Sequence, residues 1–276
     1  MNRIDAAFAR LRERGETALM PFVTIGDPDL ETSLEIIECL AKAGADMIEL
    51  GVPYSDPLAD GPVIQRASER ALRNQVRITD VIQLAKQARD RGVEIPFILF
   101  SYYNPVLQLG PETFVKLLVE HDISGMIIPD LPIEEDEEMK ALAAAHELHL
   151  IPLAAPTSEQ RIAKIAGRAS GFIYCVSSLG VTGERSQFSE EVDRFIETVR
   201  AASRVPVCVG FGISSREQVE RFSKVSDGVI VGSAIVRKIE EALPLLQDAQ
   251  TRKQGLLQIG QFVAQLKGQH LETLGE

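Results

Sequence analysis

The apolar positions of this chain fall into short solid blocks, separated by longer stretches of mixed character. The blocks are "ALMPFVT" from Ala18, "DMIELG" from Asp46, "IPFILFS" from Ile95, "GMIIPD" from Gly125, "LHLIPLA" from Leu148, "GFIYCVS" from Gly171, "VPVCVGFG" from Val205 and "DGVIVGS" from Asp227. Each is apolar nearly throughout. Parallel strands covered on both faces, or closed on themselves, read this way, whereas a strand with one wet face would alternate. Between the blocks lie "LETSLEIIECLAKAG", "TDVIQLAKQARDRG", "PETFVKLLVEH", "EEDEEMKALAAAHE", "SEQRIAKIAGRAS" and "SREQVERFSKV", whose apolar residues recur at helical spacing. Several begin at Asp, Ser, Thr or Pro and end near Gly, the residues that start and stop helices.

Eight such blocks with helical stretches between them, over roughly 250 residues, predict an α/β fold of the (β/α)8 barrel type. A doubly wound open sheet is the alternative, because periodicity does not show closure. No Ser/Pro-rich linker interrupts the series, so residues 1–276 read as a single domain. The opening "MNRIDAAFARLRERG" places Ile4, Phe8 and Leu11 on one face and predicts an extra N-terminal helix plugging the bottom of the barrel. The stretch from Thr251 reads as the last outer helix and a frayed tail.

Composition narrows the function. A chain of 276 residues, 45% hydrophobic, can bury a full core. Its net charge of −11, with basic residues scattered, argues against nucleic acid and anionic membranes as partners. No apolar run approaches the ~18 residues of a membrane span. The charged, amphipathic N-terminus is unlike a signal peptide, and a cytoplasmic protein is expected. Cys39, Cys175 and Cys208 form no CxxC pair and read as buried, reduced thiols. His146 and His149 lie close together and read as a surface helix end. Nothing near them completes a metal site, and no metal is expected.

In this barrel fold, chemistry gathers at the C-terminal ends of the strands. That makes Glu49, an acid inside an apolar strand, the first candidate. A buried ion pair would also account for it, but burial raises a carboxyl pKa toward neutrality and suits it to proton transfer. The following loop, "GVPYSDPLADGP", carries Asp56 and Asp60. On local pattern a turn role accounts for Asp60 equally well, and Asp56 in "SDP" reads as an Asx-turn or capping residue. Two carboxylates around one pocket can divide labour, one moving protons and one staying ionised.

Glycine-bearing turns follow the last three strands: "LGVTGE" with Gly180 and Gly183, "GFGIS" with Gly210 and Gly212, and "VGSAI" with Gly232 and Ser233. Each could be plain turn geometry. Together they suit a phosphate, which backbone N–H groups and a helix N-terminus hold well, with a short phosphate-binding helix starting at "GSAIVRKIEEA". Phe22, Phe100, Tyr102 and Tyr174 fall near strand ends and could line a flat apolar cavity, or be ordinary core.

The segment "MIELGVPYSDPLADGPVIQRA" closely resembles the signature of the tryptophan synthase alpha subunit family. "MPFVTIGDPD", "SYYNPV", "PDLP", "SSLGVTGER", "GFGIS" and "GSAIV" resemble its other segments in the same order, from about Ala6 to Lys267. The resemblance implies retro-aldol cleavage of indole-3-glycerol phosphate to indole and glyceraldehyde 3-phosphate, in tryptophan biosynthesis. The family's catalytic acids fall on Glu49, which moves the protons, and Asp60, which holds the indole N–H. Its phosphate contacts fall on Gly183, Gly212, Gly232 and Ser233. Its indole pocket falls on Phe22, Ile64, Phe100, Tyr102 and Tyr174, with Thr182 orienting Asp60.

The resemblance further implies no cofactor in this chain and an α2β2 complex whose beta subunit carries pyridoxal phosphate. Pro53, Asp56, Asn104 and Pro132 would dock that partner. A free-standing lyase with the same pocket is a second possibility. A catalytically dead phosphate-binding barrel is a third, and the presence of Glu49, Asp60 and Thr182 together speaks against it.

Overall fold

At several helix starts a side chain closes the exposed end. The computed structural model describes residues 1–176, 190–210 and 212–273. Helix α1 (Arg3–Arg14) is capped by the Asn2 side chain, which accepts from the Ile4 N–H at 2.8 Å, and ends at Gly15 in the left-handed conformation that favours glycine. Strand β1 (Ala18–Thr24) follows. Helix α2 (Leu30–Lys42) starts at Asp29, whose carboxylate accepts from the Thr32 N–H at 2.7 Å. Strand β2 (Ile48–Gly51) leads through the acidic loop to α3 (Pro62–Arg73), which begins with Pro62 at a position where no N–H is needed. Then come α4 (Ile78–Asp90), β3 (Phe97–Phe100), α5 (Tyr103–Leu109), α6 (Pro111–Glu120), β4 (Gly125–Ile127) and α7 (Glu137–Ala145).

The second half holds β5 (His149–Leu150), β6 (Leu153–Ala154), α8 (Glu159–Arg168), β7 (Ile173–Val176) and α9 (Glu190–Ala202). It continues with β8 (Val207–Gly210), α10 (Arg216–Ser223), β9 (Gly228–Val231), α11 (Ser233–Leu246) and α12 (Arg252–Lys267). All paired strands are parallel, in the order β5-β4-β3-β2-β1-β9-β8-β7-β6.

The two ends of that order are halves of one segment. The Ile151 N–H donates to the Met126 carbonyl at 2.9 Å on one side, and the Pro152 carbonyl accepts from Tyr174 N–H at 3.0 Å on the other. Pro152 has no N–H, so pairing hands over from β4 to β7 at this point and the fifth predicted strand is read as two. The sheet curls until its ends meet.

Alternation then decides which side chains face inward. Ile4, Ala7, Phe8 and Leu11 of α1 pack with Ala18, Met20, Met47, Ile98, Ile127, Ile151, Phe172, Cys208 and Ile230 in one buried cluster inside the sheet. Val23, Leu50 and Leu99 point the other way, into the larger cluster shared with the helices. A third, smaller cluster of Phe22, Ile64, Ala67 and Val236, with Phe100 against it, gathers residues from β1, α3 and α11. Glu49 of β2 shares the inward parity of Met47, the residue just before that strand.

Three helices were not separately anticipated: α3, α5 and α9. Helix α7 begins at Glu137 rather than within the acidic run before it, where Glu134 pairs with Arg161 and Asp136 with Arg168. His146 caps α7, but His149 opens β5 and its Nε2 lies 3.1 Å from the Asp5 carboxylate of α1, so it is no helix end. The helix expected to be short after the last strand runs 14 residues, Ser233–Leu246. The three cysteines are buried and free.

Candidate active site

Strand β2 carries Glu49 between Phe22 of β1 and Ile98 of β3, in register with both. Apolar neighbours on either side leave its carboxyl 1% exposed, and Oε1 is buried with no hydrogen-bond partner among the described residues. Burial alone pushes its pKa up to about 8. The ion-pair explanation finds no support among the described residues, and burial favours the protonated acid near neutral pH.

Asp60 ends the loop that leaves β2. It is buried, and burial raises its pKa to about 6 against the opposing effect of a hydrogen bond from Tyr102. Tyr102, just past β3, also accepts the Ala59 N–H at 2.9 Å, and Gln65 Nε2 donates to the Asp60 carbonyl at 2.8 Å. The loop is thus pinned on both sides of its acid. Tyr174, half-buried on β7, has its phenol pKa raised by burial first and then by the negative charges of Glu49 and Asp60. The charges of both carboxyls thus bear on this one hydroxyl.

Aromatic rings form a wall here. Phe22 meets Phe100 edge-on at 5.5 Å, Phe100 meets Tyr102 edge-on at 6.4 Å, and Tyr102 stacks on Tyr54 at 5.0 Å. Ile64, from the first turn of α3, is buried with Phe22. Two glycines make room for the wall. A Cβ on Gly51 would lie 2.5 Å from the Phe22 ring, and one on Gly210 would lie 2.5 Å from the Tyr174 ring.

The glycine turns divide. Gly232 precedes α11 without any side-chain cap, so the N–H groups of that helix end are left for another acceptor, and buried Ser233 is its first residue. Beside Gly232 the nearest atoms to an added Cβ are Phe22 Cβ at 3.8 Å and Ile64 Cδ1 at 3.9 Å, so the aromatic wall and the helix end adjoin. Gly212 has φ +74°, the left-handed backbone that favours glycine. Gly180, Thr182 and Gly183 lie outside the described residues.

Of the residues assigned to docking, Asp56, Asn104 and Pro132 are exposed and Pro53 is buried. Asp56 accepts from Ser55 Oγ, and Asn104 Nδ2 reaches the Tyr54 hydroxyl at 3.5 Å. Leu58, 81% exposed, lies in the same acidic loop.

Three residues at this end of the sheet had not been singled out. Tyr54 stacks behind Tyr102, a role its place in "PYSDP" did not announce. Thr24 follows Phe22 at inward parity and is buried with its hydroxyl unpartnered among the described residues; a polar residue ending an apolar strand was the signal. Arg70 joins the acidic loop's helix to two other elements. Among the described residues there is no group of three or more His, Cys, Asp or Glu able to hold a metal ion, and no helix long and apolar enough to cross a membrane.

Comparisons with known proteins agree in direction. The family model described as "Tryptophan synthase alpha chain" matches residues 8–268. The tryptophan synthase alpha chain of Bacillus subtilis (strain 168) is 53% identical over 253 residues, covering 92% of this chain and 95% of that protein. That of Halalkalibacterium halodurans is 48% identical over 266 residues, covering 96% and 99%. Among solved structures, tryptophan synthase subunit alpha from Legionella pneumophila str. Paris superposes with a TM-score of 0.88 at 36% identity, covering 97% and 98% of the two chains. A Mycobacterium tuberculosis tryptophan synthase structure gives a TM-score of 0.86 at 34% identity, covering 97% of each.

Proposed function

The chain belongs to the tryptophan synthase alpha chain family, and on that premise we propose that it is the lyase subunit that cleaves indole-3-glycerol phosphate to indole and glyceraldehyde 3-phosphate, with Glu49 and Asp60 as its catalytic acids. The observation that carries the reading is the pair of buried carboxyls, Glu49 with Oε1 unpartnered among the described residues and Asp60 held by Tyr102, whose pKa values burial raises to about 8 and about 6. Between those values one is a proton donor and the other an anion, the division that this retro-aldol reaction needs.

Protonated Glu49 delivers its proton to indole C3, and positive charge develops on the ring nitrogen. Asp60, as carboxylate, accepts the indole N–H and stabilises that charge. The C–C bond then breaks: its electron pair returns to the indole ring, and the side-chain hydroxyl becomes the aldehyde as it gives its proton to the Glu49 carboxylate. Glu49 ends protonated, as it began. Phe22, Ile64, Phe100, Tyr102 and Tyr174 enclose the ring, exclude water and strengthen both electrostatic contacts. The uncapped start of α11 at Gly232 and Ser233, with Gly212, receives the phosphate.

In the same reading residues 1–276 form one (β/α)8 barrel domain in the cytoplasm, with α1 sealing its N-terminal end. The chain works without a bound cofactor, in an α2β2 complex with a beta subunit that carries pyridoxal phosphate. The exposed rim of Asp56, Asn104 and Pro132 faces that partner. The test is direct. The purified chain is assayed for cleavage of indole-3-glycerol phosphate and for the reverse condensation, with and without a beta subunit. Slow turnover alone and faster turnover with the partner are expected; no cleavage under either condition would overturn the reading.

A further inference from the structure

The turn after β1 and helix α11 lie on different elements, yet one guanidinium, on the helix that follows the acidic loop, holds both. Arg70, on the third turn of α3, donates from Nε and Nη2 to the two oxygens of Asp27 at 2.7 and 2.9 Å. Its Nη1 donates to Glu240 of α11 at 2.8 Å. Asp27, 2% exposed, sits in the turn that follows β1, three residues past Thr24. Glu240 also receives Arg66 of α3 in a two-point contact at 2.8 and 2.7 Å. Arg66 is half-exposed, so its pair is screened, whereas Arg70 and Asp27 are shielded and geometrically matched.

What the clamp joins matters more than its strength. Helix α3 begins two residues after Asp60 and presents Ile64 to the aromatic wall. Helix α11 begins at Ser233, two turns before Glu240. The first turns of the two helices face each other across a cleft lined by Pro62, Val63, Arg66, Ser233, Arg237 and Glu240. The turn at Asp27 closes the strand that supplies Phe22.

We propose that Arg70 is a positioning residue: by holding Asp27 and Glu240 together it fixes the spacing between the Asp60 side of the site and the α11 end, and so matches the cleft to a substrate that bears on both. This rests on the reaction proposed above. A ligand that occupies only the α11 end does not sense that spacing. A substrate anchored there and reacting at Asp60 does, because a small misplacement of remote anchoring groups is paid in the chemical step.

The experiment compares the parent chain, Glu240→Ala, Arg70→Lys and, as a control, Asp90→Ala, which loses a Lys86 contact confined to α4. Lysine keeps the charge but cannot hold two carboxylates in Arg70's fork. Glycerol 3-phosphate binding is measured by calorimetry and kcat/KM with the intact substrate. Glu240→Ala and Arg70→Lys should lower kcat/KM roughly tenfold with glycerol phosphate affinity preserved, and Asp90→Ala should change neither. Unchanged kcat/KM in Glu240→Ala overturns the clamp. So does an equal loss of glycerol phosphate affinity, or the same loss in Asp90→Ala. A parent chain that does not cleave the substrate overturns the reaction, and the clamp with it.

Discussion

The Tyr102 hydroxyl bonds the Asp60 carboxyl while accepting the Ala59 N–H at 2.9 Å, so one phenol from the end of β3 fixes both the acid and the loop that carries it. Removing that oxygen orphans the Ala59 N–H and withdraws the contact that lowers the Asp60 pKa. Tyr102→Phe should therefore fold, keep its ring stack on Tyr54, and lose roughly tenfold in kcat/KM. Its Asp60 should titrate above the parent value of about 6. A variant with parental kcat/KM would mean the phenol supports only the ring wall.

The pH profile follows from the two acids. Asp60 must be ionised and Glu49 protonated, so kcat/KM, which reports the free enzyme, should rise through about pH 6 and fall above about pH 8. Asp60→Asn should abolish the rising limb along with most activity, and Asp56→Asn should leave both limbs in place. A flat profile across this range would refute the division of roles.

Glu49→Gln should separate catalysis from stability. It keeps size and polarity but cannot move a proton, so kcat should fall by at least ~10². Its effect on stability has the opposite sign. The folded-state pKa of Glu49, about 8, lies above the ordinary carboxyl value of 4.5. The stability linked to this group is full below about 4.5, is lost as pH rises through about 8, and stays lost above that. Glutamine has no such penalty. The variant should melt higher than the parent at pH 8.5, with the difference shrinking toward pH 5. Parallel melting curves across that range would show that Glu49 is not held protonated.

Much of the fold and part of the site could be read before any coordinates. Solid apolar blocks located every strand, because a closed parallel sheet leaves no wet face to force alternation. What patterning missed had physical causes. The helix α3 is rich in Arg, Gln and Glu because its outer face is charged, and its buried stripe of Ile64, Ala67, Ser68 and Ala71 is too small to stand out. The fifth strand broke at Pro152 because pairing changes sides there. Glu49 was legible because an acid in an apolar strand contradicts its surroundings. Arg70 was not, since its partners lie 43 and 170 residues away in sequence and only folding joins them.

Two glycines of the mouth should respond in opposite ways. At Gly210 an added Cβ would lie 2.5 Å from the Tyr174 ring and 2.6 Å from its hydroxyl, so the ring must move. Gly210 ends β8 in register with Val176 of β7, and the shift displaces a side chain of the pocket. Gly210→Ala should lower both melting temperature and kcat while leaving glycerol phosphate affinity intact. At Gly232 the nearest neighbours are 3.8 and 3.9 Å away, an ordinary van der Waals separation, and its φ of −101° suits any residue. Gly232→Ala should therefore melt like the parent. Its methyl would nevertheless project toward Phe22 and Ile64, into the space beside the uncapped end of α11. If phosphate is received there, the methyl stands in its way, and KM should rise roughly tenfold with kcat less affected. Calorimetry with glycerol 3-phosphate checks the binding alone: parental affinity in Gly232→Ala would move the phosphate site away from α11.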